Sequence, residues 1–162
     1  MTRMVALMLS LGLLAGAPSP AVAAETAHLK LYIATSDFDT VKEDLKIAIT
    51  GRGFVVDHIS HISAMLDRTG KDLGTTKPVY DHAESLQFCS ATVSRRMMEV
   101  DPANIVFCPY IIVLYTLPQD PKTVYVGYRR PLPAAGTEAS KASLKAVEEL
   151  LDGIVREALN LK

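Results

Sequence analysis

The stretch Ile105-Val106-Phe107-Cys108-Pro109-Tyr110-Ile111-Ile112-Val113-Leu114-Tyr115 is apolar at nearly every position. A run of that length without polar alternation fits a central strand buried on both faces. Pro109 cannot donate a ladder hydrogen bond, so it marks a bulge or the strand's start. Downstream, Pro118-Gln119-Asp120-Pro121 is short enough for a hairpin turn. The return strand spans Val124 to Tyr128, with Val124, Val126 and Tyr128 on one side and Tyr125 and Gly127 on the other. Upstream, Leu86 and Phe88 point to a strand running into Cys89. Ser90 then caps a helix that turns Val93, Met97 and Val100 inward and closes before Pro102.

Further out, the same alternation of strand and helix continues. Leu29, Leu31 and Ile33 alternate with Lys30 and Tyr32 as a half-buried strand. Ser36 is placed to cap the next helix, with Asp39 completing a capping box. Phe38, Val41, Leu45, Ala48 and Ile49 form that helix's apolar stripe, and Gly51 ends it. Phe54 to Ile59 reads as a strand. Ser60 caps a short helix with Ile62, Met65 and Leu66 on its apolar side, stopped at Gly70. The last helix starts near Thr137. Its stripe of Leu144, Val147, Leu151, Ile154, Val155, Ala158 and Leu159 is the strongest periodic signal in the chain. The sum is an α+β fold: a single compact domain, one sheet with helices packed on it, and a long C-terminal helix.

The first residues have the composition of a secretory leader. Arg3 gives a positive start and Met4 to Leu14 an apolar run. Ala21-Val22-Ala23-Ala24 supplies the small residues a signal peptidase accepts. The expected organisation is a signal peptide over 1–23 and one domain over 24–162, delivered to the periplasm. The apolar run is shorter than the roughly 20 residues a spanning helix needs, so no stable membrane insertion is expected after cleavage. Basic and acidic side chains number 17 and 18, with no basic block, which argues against a nucleic-acid surface.

Cys89 and Cys108 stand 19 positions apart and are the only cysteines. That is not the spacing of a Cys-x-x-Cys redox pair or a zinc knuckle. In an oxidising compartment two lone cysteines normally pair, and neighbouring strands would bring these two together. Such a disulfide adds roughly 3 kcal/mol by loop-closure entropy. Separate buried thiols and a metal-binding or redox role are the alternatives. His58 and His61 flank Ser60, and Met65 follows one turn later. With the cysteines they form a soft nitrogen–sulfur set suited to copper or haem iron. The simpler reading makes His58 a strand residue, His61 a solvated helix start and Met65 core filler. Ser90 and Ser94 lack a base partner, and the acidic residues fall on separate elements. Arg129-Arg130 is either a solvated strand end or an anion contact. Gly70 to Pro78 is a candidate binding loop.

Asp57-His58-Ile59, Phe88-Cys89-Ser90-Ala91, Asp101-Pro102-Ala103-Asn104-Ile105 and Phe107-Cys108-Pro109-Tyr110 together resemble the family known as domain of unknown function 302, in an exported, two-cysteine form. The likeness runs from about Leu31 to Arg129. It implies a compact α/β-type single domain and no particular activity. On the residues themselves, two functions stand. One is a non-catalytic periplasmic binding or accessory protein for a small molecule or a protein. The other is a metal- or haem-dependent redox protein using His58, His61, Met65 and the cysteines. Any site is expected where residues 57–76 meet residues 88–110.

Overall fold

The computed structural model describes residues 22–132 and 136–161; the leader read over 1–23 lies outside them up to residue 21. Strands β1 (Val22–Glu25), β2 (Leu29–Thr35), β3 (Val56–His61), β4 (Ala83–Phe88), β5 (Tyr110–Leu117) and β6 (Asp120–Arg129) form one sheet, ordered β1-β2-β6-β5-β4-β3. Every neighbouring pair is antiparallel. Helix α1 (Phe38–Thr50) packs on β3, β5 and β6 and against α4 (Glu138–Ala158). Helix α3 (Ala91–Val100) packs against α4, and α2 (Ile62–Asp72) lies beside β4. The fold is α+β, with one sheet and a long C-terminal helix.

The two long stripes are buried as their periodicity requires. Phe38, Val41, Leu45, Ala48 and Ile49 of α1 meet Leu144, Val147, Leu151, Ile154 and Val155 of α4 in one core. Thr137 caps α4 by accepting from the Ser140 N–H. The cap of α1 is Asp37 rather than Ser36. Its carboxylate reaches two backbone donors, the N–H groups of Asp39 at 3.0 Å and Thr40 at 3.1 Å.

Strand β2 faces the opposite way to its reading. Tyr32 and Ala34 are buried, while Leu29, Leu31 and Ile33 lie on the face away from the helices. Both sides of β2 carry apolar groups, so alternation alone does not choose. A polar anchor on α4, described below, fixes Tyr32 inward.

The apolar run from Ile105 is not one continuous strand. Pro102–Phe107 is a 3₁₀ helix. Asp101 Oδ1 accepts from the Ala103 N–H at 3.0 Å and starts it. Asn104, buried, donates to the Met97 carbonyl (2.9 Å) and to Ser140 Oγ (3.1 Å), tying the segment to α3 and α4. Ile105 and Val106 are left 60% and 70% exposed. Strand β5 begins immediately after Pro109, where the missing donor costs nothing. Its burial alternates instead of being double-sided. Tyr110, Ile112, Leu114 and Thr116 are buried under the helices, and Ile111, Val113, Tyr115 and Leu117 are half-buried on the other face.

Helix α2 departs most from its reading. Ser60 does not cap it; its Oγ accepts from Gln87 Nε2 at 3.2 Å. The helix passes Gly70 to Asp72 and buries no residue, and Met65 is 47% exposed, so it is not core filler. Val100, expected inward, is exposed at the end of α3. No helix among the described residues is long and apolar enough to cross a membrane.

Candidate functional site

The β4–β5 register sets Phe88 opposite Tyr110. Cys89 follows Phe88 and Cys108 precedes Tyr110 by two positions, so the ladder delivers both thiols to one spot. Their Sγ atoms lie 2.8 Å apart, and both residues are half-buried. Ser90 fixes one side by accepting the Val93 N–H at the start of α3. The 3₁₀ helix fixes the other, with the Cys108 N–H donating to the Ile105 carbonyl at 3.0 Å. The Cys108–Pro109 peptide is cis.

Around the thiols the environment is weakly polar. Ser94 Oγ is 3.8 Å from Cys108 Sγ and 3.0 Å from the Tyr110 hydroxyl, which reaches Met97 Sδ at 4.0 Å. Burial, and then the neighbouring Cys108, push the Cys89 thiol up to about 12, although the Tyr110 backbone N–H opposes them. Cys89 is therefore a thiol at neutral pH and a poor nucleophile by itself. The polar neighbours of Ser94 are a phenol and a thiol, not an imidazole, so its hydroxyl lacks the base that nucleophilic catalysis needs.

The structure sets His61 away from the cysteines, whereas His58 pairs across the β3–β4 ladder with Gln87, two positions before Cys89. His58 lies exposed on β3 opposite Gln87, and His61 lies opposite Glu84. Glu84 and Cys89 are five strand residues apart, about 16 Å along β4. His61 Nδ1 is 3.1 Å from Glu84 Oε1, whose Oε2 is 3.6 Å from Lys42 Nζ. Met65 is exposed on α2. Among the described residues no three His, Cys, Asp or Glu side chains are placed to share a metal ion.

Two features escaped the sequence reading. The first is a cavity of about 330 Å³ beside the thiols. Phe107, Pro109 and Tyr110 form the wall next to Cys108; Ile111 and Val113 continue it, and Val147 and Leu151 of α4 close it. Arg129 stands at its edge, exposed, and no carboxylate pairs with it among the described residues. Strand alternation sends its neighbour Arg130 elsewhere, onto Glu148 (2.5 Å) and Glu25 (3.1 Å). The walls come from segments far apart in the chain, so spacing gave no signal.

The second is a polar anchor under α4. The buried hydroxyls of Tyr32 and Tyr128 both donate to Asp152 Oδ1, the latter at 3.0 Å, and Lys30 Nζ lies 2.5 Å from the same oxygen. Burial works to raise the Asp152 carboxyl; the Lys30, Tyr32 and Tyr128 bonds outweigh it and hold the group below its usual range. Burial pushes both phenols upward. The adjacent cavity is lined by Glu25, Lys30, Arg130, Glu148 and Asp152, whose charges are already matched to one another. Every one of these groups is engaged in an ion pair that ties β1, β2 and the end of β6 to one another or to α4. A cluster of tyrosines and one aspartate scattered over three elements has no sequence signature.

A family model described as "Domain of unknown function DUF302" matches residues 31–158. A crystal structure of an uncharacterized conserved DUF302 protein from Bacillus stearothermophilus is similar to this chain. The TM-score is 0.68 at 16% identity, covering 82% of this chain and 99% of that one. No curated protein matches.

Proposed function

Because the chain belongs to the DUF302 family, a domain of unknown function, its role must be read from its own residues, and we propose an exported, non-catalytic binding or accessory protein that holds a small amphipathic anion in the cavity beside Cys108. The observation that carries this reading is a largely apolar cavity lined in part by Arg129, whose guanidinium pairs with no carboxylate among the described residues. The half-buried Phe107, Ile111 and Val113 offer apolar surface to a hydrocarbon body. Arg129 offers a planar fork to a carboxylate or sulfonate. The leader composition supports export to the periplasm, where the adjacent thiols of Cys89 and Cys108 would close as a disulfide. The phenol-bound Ser94 and the protonated Cys89 favour binding over catalysis.

The test uses protein taken from the periplasmic fraction, with a mature mass beginning at Ala24 or Glu25, titrated calorimetrically with decanoate. Saturable binding is expected, weakened by Arg129→Glu by roughly 10- to 100-fold, the worth of a charge-assisted hydrogen bond. Absence of binding, or binding indifferent to Arg129→Glu, overturns the assignment.

A further inference from the structure

We propose that the Cys89–Cys108 pair is a reversible redox switch for this cavity, tightening ligand binding when oxidised. The inference rests on the cavity reading above. Its physical basis is adjacency. Cys108 is held between Phe107 and Pro109, and those two residues with Tyr110 form one wall. The opposing sulfur belongs to Cys89, anchored between the end of β4 and the Ser90 cap of α3. With the thiols 2.8 Å apart, the two sulfurs must approach by only about 0.8 Å to bond.

The step balances as thiol–disulfide exchange. Each thiol loses one proton and one electron as the Sγ–Sγ bond forms. The acceptor is the disulfide of a dithiol oxidant, whose own S–S bond breaks to two thiols. One of the two sulfurs, as its thiolate, attacks the oxidant's disulfide and forms a mixed disulfide, releasing one oxidant thiol. The other sulfur then displaces the oxidant's second thiol from the mixed disulfide.

Oxidation adds a covalent tether from the 107–109 wall to the end of β4 and the start of α3; reduction leaves that wall held by the 3₁₀ helix on one side and the Phe88–Tyr110 end of the ladder on the other, without a covalent link. A wall fixed in advance loses less freedom on binding. By linkage, the ligand must then favour the disulfide by the same factor.

The mature protein is titrated with decanoate in the oxidised and the reduced state. The thiol–disulfide equilibrium is titrated separately in glutathione buffers, with and without decanoate. Tighter binding to the oxidised form is expected, by roughly 5- to 150-fold, with a matching stabilisation of the disulfide by decanoate. The Cys89→Ser/Cys108→Ser variant should bind like the reduced protein, with or without reductant. Equal affinities in the two states overturn the switch and leave the cavity reading standing. So do thiols that stay unbonded in oxidising buffer, or a reductant effect that persists in the double variant. Absence of decanoate binding in both states overturns the cavity reading, and the switch with it.

Discussion

Asp152 accepts three donors on one oxygen, and two of them are phenols with almost no solvent contact. Asp152→Ala strands those hydroxyls, and each buried unpaired donor costs about 1–3 kcal/mol. Chemical denaturation should show that loss at neutral pH. The acid limb gives a second readout. The folded-state carboxyl is depressed, so its contribution is complete above the unfolded value, near 4, and disappears as pH falls through the lower folded one. Wild type should therefore lose stability on acidification below about pH 4 more steeply than Asp152→Ala. Equal acid limbs would remove Asp152 from this role. Gly127 is a second exacting position. A Cβ there would sit 2.8 Å from the Lys30 carbonyl oxygen, a ladder atom of β2 that cannot move aside.

Helices α4 and α2 stand at opposite ends of the range of burial. Leu144 is fully buried in the core, so Leu144→Ala should cost about 2–5 kcal/mol. Met65→Ala on α2 should change stability by less than about 0.5 kcal/mol, because Met65 is exposed on a helix that buries no residue. Thermal melts of the pair check the contrast; similar costs would mean α2 is buried in solution. The same contrast explains what was legible in the sequence. Stripes that bury one face, as in α1 and α4, announce themselves through periodicity. Side-chain bonds to distant elements do not. The inward turn of Tyr32 depends on Asp152, and the 3₁₀ helix depends on Asn104 finding Met97 and Ser140. Both were missed for that reason. The meeting of Cys89 and Cys108 was readable because each flanks one of two strands that follow each other in the chain and pair in the sheet. The cavity was not, since Arg129 and α4 reach it from elsewhere in the chain.

At the scale of the molecule, the sheet order joins early residues to late ones. Strand β2 lies between β1 and β6, with Leu29 opposite Arg129 and Thr35 opposite Thr123. Helix α1 likewise buries its stripe against α4. A chain ended at Leu117 keeps β1–β5 and lacks both partners. It should show no cooperative melt and no dispersed amide spectrum; a folded fragment would contradict the topology. Long-range pairing of this kind also slows folding. The order β1-β2-β6 thus acts as a clock on synthesis. Until β6 leaves the ribosome, β2 has only β1 beside it, so the ladder that joins these first strands to the rest of the sheet waits on residues made late.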